Sequence, residues 1–327
     1  MFEDLASKTP IVRLLLNTIR RFRSLRAKPA GDAAKPARDG AGWAATLLSR
    51  GRQMAKDLPF TRPRETTTIT IEHGFIKLLV TEGLEVLDYR IALANPRFFR
   101  EGIVSDPVRL GEIIENTLED MGGEHRHVVG AVPGYQSNLA QIELPKSRDM
   151  KPEVMVPQEA RRTMGVSPET SLLVWRQLPD NVDRTRWLLL SAARRSIASL
   201  TETVRSSGLQ MAALELRPFA LARAVNESDA VVAWTAVDGV DVIIVKDAMP
   251  VAQQSAYWGA EPVEGSILVD RLSAIVERTI TAYDEQNIAL PLSEWAPLYV
   301  SGSPAAVEND VAGRVAANLQ RSARELH

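Results

Sequence analysis

Two stretches of this chain place glycine and acidic residues at turns between apolar strands, at matching spacing. The first runs from Thr66 to Val80 through Gly74, turns at Thr81-Glu82-Gly83 and resumes from Glu85 to Leu93. The second runs from Ala230 to Val245 through Gly239, turns at Lys246-Asp247-Ala248 and resumes from Pro250 to Tyr257. Gly74 and Gly239 are 165 positions apart, as are Glu82 and Asp247. A glycine turn can offer backbone N–H groups to an anion, so phosphate binding is the chemistry to test. The plainer reading is two tight hairpins that need glycine for their geometry. Other chemistry is thinner. The chain has no cysteine, which excludes disulfides, thiolate nucleophiles and thiolate metal sites. His125-Arg126-His127 offers two imidazoles, too few for a metal, and is expected to be a solvated turn.

The elements that must position these turns can be read from periodicity. After the first three strands, Asp106 and Pro107 suit the N-cap and first position of a helix. Leu110, Ile113, Ile114, Leu118 and Met121 supply its buried face, and Gly122-Gly123 stop it. His127 to Val132 reads as a short buried strand. Residues 137–208 look inserted: a strand over 138–144, a helix within 150–164 shortened by Pro152 and Pro157, strands over 171–178 and 186–193, and a helix through Ile197, Leu200 and Val204. A helix starts at Arg217-Pro218. The second three-strand unit follows, then a helix over 267–283, a strand from Leu298 to a turn at Ser301-Gly302-Ser303-Pro304, and a last helix over 309–326. A three-strand unit used twice implies a duplicated architecture.

Bulk properties bound the class. The 327 residues suffice for two or more domains, with apolar and charged contents ordinary for a globular protein. No apolar run approaches the ~20 residues of a membrane helix. The start does not read as a secretory signal, because Arg13 and Arg20–Arg23 interrupt it. The net charge of −2 hides an asymmetry. Residues 1–64 hold 14 lysines and arginines against 5 acids, whereas the rest holds 25 against 36. Residues 10–27 read as an amphipathic cationic helix, 28–41 as a linker, and 43–54 as a second short helix.

In this order the chain resembles the actin-like ATPase superfamily and, within it, the PilM family of type IV pilus assembly proteins, with the division protein FtsA more distant. The resemblance spans roughly Thr66 to Leu319. It is carried by Gly102-Ile-Val-Ser-Asp-Pro107, Val129-Gly-Ala-Val-Pro-Gly134, Ile142-Glu-Leu-Pro145, Ala192-Ala-Arg194 and Leu214-Glu-Leu-Arg-Pro-Phe-Ala-Leu-Ala-Arg-Ala224. It implies an α/β fold: a duplicated actin-like (ribonuclease H-like) core with an inserted small α+β subdomain and a basic N-terminal extension. The boundaries expected are an extension over 1–64, a first core part over 65–136, an insert over 137–208 and a second core part over 209–327.

The family's first turn resembles Asp-Ile-Gly-Ser-Ser-Ser-Ile-Lys, whose aspartate helps organise magnesium and whose glycine lets amides approach phosphate. Here the aspartate falls at Thr70 and the glycine at Glu72, with Ile71, Ile76 and Lys77 retained. In the second turn the corresponding positions hold Trp234 and Ala236. The adenosine-side turn, a serine followed by glycines in the family, is Ser301-Gly302-Ser303-Pro304, where Pro304 removes an amide donor. Thr70, Glu72, Gly74, Lys77, Trp234, Ala236, Gly239, Ser301, Gly302 and Ser303 are therefore read as vestigial nucleotide-loop positions. Lys77 is expected to be a solvated strand residue. No catalytic residue, metal or cofactor is expected, neither ATP nor magnesium.

The resemblance also implies that the insert helps hold a cytoplasmic peptide of a bitopic inner-membrane partner, a PilN-like protein. The family's contact stretch falls at Thr163-Met164-Gly165-Val166, so Met164, Gly165 and Val166 are candidate partner-binding residues; simple packing between helix and strand is the alternative. For the basic residues 1–64, attachment to an anionic membrane surface, nucleic-acid binding and a solvated tail are weighed, with nucleic acid disfavoured because neither interleaved aromatics nor a binding fold is present. The expectation is a cytoplasmic pseudo-ATPase scaffold at the inner face of the cell membrane, serving a type IV pilus or type II secretion-like platform. The alternatives are an active actin-like ATPase and an FtsA-like membrane-tethered division or polymer-forming protein; self-association stays open.

Overall fold

A computed structural model of the protein describes residues 65–324 apart from 73, 126, 147–150, 168, 179–182, 237–238, 259–262, 264, 289–290 and 303–309. The helices expected within residues 1–64, Ser303 and Pro304 lie outside the described residues.

The chain begins with β1 (Glu65–Glu72), β2 (Phe75–Glu82) and β3 (Glu85–Leu93), joined antiparallel. Short strands β4 (Phe99–Arg100) and β5 (Ile103–Val104) lead to α1 (Pro107–Met121) and β6 (Val128–Val132). The Asp106 carboxylate accepts from the Arg109 N–H and caps α1. Next come β7 (Ser137–Pro145), α2 (Pro152–Met164), β8 (Ser171–Gln177) and β9 (Arg184–Ala193). Then follow α3 (Arg194–Ser206), β10 (Met211–Leu216) and α4 (Arg217–Val225). The second half comprises β11 (Ala230–Ala236), β12 (Gly239–Lys246), β13 (Met249–Tyr257), α5 (Gly265–Gln286), β14 (Leu298–Gly302), α6 (Val311–Leu319) and β15 (Ala323–Arg324).

Two five-stranded sheets follow one plan. The first has the order β10-β6-β1-β2-β3 and the second β13-β12-β11-β14-β15, each with three strands in parallel and an antiparallel hairpin at one side. Ile69, Ile76 and Leu78 of the first sheet pack with Ile114 of α1 and Ile197, Leu200 and Val204 of α3. Val231, Val242 and Ile244 of the second pack with Leu272 and Val276 of α5 and Val315 of α6. The opposite face of the second sheet packs on α4 through Val232, Ile243, Leu221 and Val225. A three-stranded sheet, β7-β9-β8, sits on the first core through Leu139, Leu188 and Leu190. Its other face carries α2 on Ile142, Trp187 and Leu189. This is an α/β architecture in which two halves repeat one sheet plan.

Several elements differ from the sequence reading. α2 runs through Pro157 to Met164, closed by Gly165 in the left-handed region. The expected last helix stops at Leu319, where Gln320 turns left-handed, and Ala323 and Arg324 then pair with β14. β10 adds a strand that the sequence pattern does not mark. α3, placed within the insert by the sequence, packs in the first core and holds the position there that α6 holds in the second half. The hairpin offset also shifts. Glu72 pairs with Phe75 and Ala236 with Gly239, so the two units correspond at a separation of 164. Gly74 lies in its turn with φ +85°, but Gly239 is the first residue of β12. A Cβ at Gly239 would lie 2.5 Å from the Ala256 carbonyl oxygen, so close strand approach, and not turn geometry, calls for glycine there.

Candidate functional site

Strand alternation puts Ile69 and Ile71 of β1 into the first core and turns Thr70 and Glu72 to the opposite face. Lys77, paired with Thr70 across the hairpin, shares that face. In the second half, Val240 and Val242 of β12 face α5, so Asp241 between them faces α4 and the first half. Arg217 opens α4. The chain therefore brings four charges to one place between its halves.

They neutralise one another. The Lys77 ammonium donates to Glu72 at 2.7 Å. The Arg217 guanidinium donates from one nitrogen to Asp241 at 2.9 Å and from another to Glu72 at 3.3 Å. The Gly134 N–H adds a bond to Asp241 at 3.0 Å. Glu72 is 2% exposed, Asp241 0% and Arg217 7%, so the arginine and both carboxylates are withdrawn from water. Burial opposes the Arg217 charge, but the Asp241 and Glu72 carboxylates outweigh it and hold its pKa above the usual arginine range. Groups buried to this degree persist only when paired. Gln253 of β13 ties the same segment across the halves by donating to the Gly134 carbonyl at 2.8 Å. Beside it the Tyr135 and Tyr257 rings meet tilted by 43°, with 5.3 Å between ring centres.

The other described candidate positions lie in β11 and at the end of β14. Trp234 and Ser301 are paired on adjacent strands. The Trp234 indole packs against the apolar cluster between the second sheet and α4, and its Nε1 has no partner among the described residues. Ala236 is buried. Gly302 has φ +105°, and a Cβ there would sit 1.9 Å from the Thr235 carbonyl oxygen. The strand end is thus closed tightly on Thr235, whose hydroxyl donates to the Ser301 carbonyl at 3.1 Å.

Three sequence expectations need correction. Lys77 is not a freely solvated strand residue, because Glu72 holds it. His125 is not in a solvated turn: it is buried, its Nδ1 lies 2.9 Å from the Thr67 hydroxyl, and its N–H donates to Glu65. Val166 is not a surface contact, since it is buried against α2 and Trp187, with Met164 packed partly on the same cluster. Gly165 is exposed. Among the described residues no group of three or more His, Cys, Asp or Glu is placed to hold a metal.

Arg217, Asp241, Gly134 and Gln253 were not singled out from the sequence. A signal for two of them is present: Asp241 interrupts Gly239-Val-Asp-Val-Ile-Ile-Val245, and Arg217 heads a helix that is apolar apart from Arg223. A charge inside such runs has to find a partner.

No protein-family model matches the chain, and no curated protein matches it. Solved structures do resemble it. The PilM–PilN type IV pilus biogenesis complex aligns at a TM-score of 0.62 with 18% identity, over 81% of this chain and 89% of that one. The ethanolamine utilization protein EutJ from Carboxydothermus hydrogenoformans aligns at 0.50 with 16% identity, over 86% and 93%. These likenesses establish the fold.

Proposed function

We propose that the protein is a non-catalytic actin-like scaffold of an inner-membrane assembly platform, of the type IV pilus or type II secretion-like kind. In this reading it binds a cytoplasmic peptide of a bitopic, PilN-like partner at the inner face of the membrane. The observation that carries the non-catalytic part is the buried set Lys77–Glu72–Arg217–Asp241. A nucleotide clamp needs free amides and free cations facing the phosphates. Here Glu72 stands where the family has glycine, and it holds both Lys77 and Arg217. The partner reading is supported by the likeness to the PilM–PilN complex, with the fold as the common ground. The basic residues 1–64 are proposed to add attraction to anionic lipid.

Two titrations of the full chain test this. Isothermal titration with ATP and magnesium is expected to give no saturable heat; tight, magnesium-dependent binding would sink the pseudo-ATPase reading and favour an active actin-like ATPase. A synthetic peptide from the cytoplasmic end of a PilN-like protein of the same genome is expected to bind saturably. Failure of that arm would remove the assembly role while leaving the closed cleft intact.

A further inference from the structure

β3 forms the outer edge of the first sheet, pairing on one side with β2. It is unusually apolar for an edge. Tyr89 is 53%, Ile91 47% and Leu93 75% exposed, and Val86 and Leu87 are exposed as well. Tyr89 pairs with Leu79 and Ile91 with Lys77, so these side chains share the sheet face turned away from α1. A row of this kind on an edge with no further partner strand among the described residues is a template for another strand.

The backbone parity of β3 is fixed by its own hydrogen bonds. The Ala94 N–H donates to the Gly74 carbonyl at 2.9 Å, so the even-numbered residues near it face β2. Tyr89, Ile91 and Leu93 then turn their N–H and C=O groups outward. The Tyr89 N–H donates to the Asp88 carboxylate at 2.6 Å, and the Tyr89 carbonyl accepts from the Arg90 guanidinium at 2.9 Å. Asp88 and Arg90 are also paired with each other. In a lone chain, two charged side chains thus cap the central peptide of the edge.

Opposite charges flank Tyr89 at equal spacing, Asp88 before it and Arg90 after it. We propose that β3 is a self-association surface, on which a second copy of this chain pairs antiparallel about a two-fold axis at Tyr89. In that register Tyr89 of each copy exchanges both backbone bonds with the other, as a hydrogen-bonded antiparallel pair does. Asp88 falls opposite Arg90 of the second copy, twice, on one face. On the other face Ile91 of each copy lies beside the two tyrosines, while Leu87 sits at the bulge where β3 shifts register against β2 and stays outside the regular ladder. The clasp that caps one chain is exchanged for two ion pairs between chains, and directly opposed unlike charges favour the register. Slipping it by one residue breaks those pairs. The interface is isologous and closes as a dimer joining two five-stranded sheets edge to edge. This inference does not depend on the assembly role proposed above.

The test is sedimentation velocity on the full chain up to about 100 µM, a range that reads micromolar association. The unmodified protein is expected to dimerise. Asp88→Arg and Arg90→Asp, each placing like charges opposite one another twice, are expected to weaken the dimer at least tenfold. The double variant Asp88→Arg/Arg90→Asp restores unlike pairs and is expected to recover it. Circular dichroism checks that each variant is folded. A monomer at every concentration, single reversals without effect, or a folded double variant that stays monomeric would each overturn the proposal. Hydrogen exchange on the unmodified protein gives an independent reading. Protection of the Tyr89 and Ile91 amides should rise with concentration. Protection independent of concentration would mean that residues 1–64 of the same chain cover the edge, and would also overturn it.

Discussion

Replacing Arg217 by Met tests the ionic bridge directly. The substitution keeps an unbranched apolar stem and removes the guanidinium that joins the halves. Asp241, with no exposed surface, would keep the Gly134 N–H alone among its present bonds, and its Oδ1 already has no partner among the described residues. Glu72 would keep Lys77 but lose its second cation. Breaking one side of a buried ion pair costs about 3–5 kcal/mol, because the stranded charge stays desolvated. At about 2–4 °C per kcal/mol for a chain of this order of size, the melting midpoint should fall by roughly 10 °C. Urea unfolding followed by tryptophan fluorescence measures the loss. The combined variant Glu72→Leu/Arg217→Met/Asp241→Leu is the control. It removes the buried charges together and frees Lys77, which is partly exposed, to reach water. Replacing a whole buried network by apolar residues is often close to neutral, so the triple variant should regain more than half of the loss. A cost below about 1 kcal/mol for Arg217→Met, or a triple variant less stable than the single one, would refute the reasoning.

Two further outcomes are expected. In Gly134→Ala the new Cβ would fall 2.1 Å from the Asp241 carboxylate oxygen, so the carboxylate must move and its backbone bond is lost. The cost should be about 2–4 kcal/mol, seen as a lower urea midpoint with an unchanged slope. For the membrane proposal, the full chain should float with vesicles containing phosphatidylserine and stay behind with neutral ones; equal behaviour on both would remove the lipid role of the basic residues 1–64.

The order of elements was legible in the sequence because its signals are local. Asp106-Pro107 starts α1 and Gly122 ends it, alternation marks β1, and apolar runs mark β2, β11 and β12. β10 was lost because Met211-Ala-Ala-Leu-Glu-Leu216 does not alternate. It becomes a strand by pairing in parallel with β6, and its Glu215 is held by Arg223 at 2.9 Å. The last helix was overextended because nothing in its composition announces that Ala323 and Arg324 will pair with β14. The candidate site was legible by half. The departures at Glu72 and Trp234 can be read against a motif, whereas the second cation on Glu72 lies 145 positions along the chain at Arg217, which also reaches Asp241. Only the fold brings those together, so comparison with the motif shows Glu72 as a replaced glycine but not as the anchor of two cations.

That difference changes what the cleft is for. In a nucleotide clamp the ligand supplies the charge that draws two halves together, so closure follows occupancy. Here Arg217 joins Glu72 of the first sheet to Asp241 of the second, and the joint belongs to the covalent chain. Admitting a triphosphate would require Lys77 to leave Glu72 and would set the phosphate beside a buried carboxylate. A like-charge contact at about 4 Å costs on the order of 4 kcal/mol at an effective dielectric of 20, before any desolvation is counted. On the proposed reading, a scaffold built this way does not use nucleotide as a switch. Under the proposed function its two halves keep one relative arrangement whatever the nucleotide concentration, and any regulation has to come from outside the cleft, at the peptide site, the membrane or the free edge of β3.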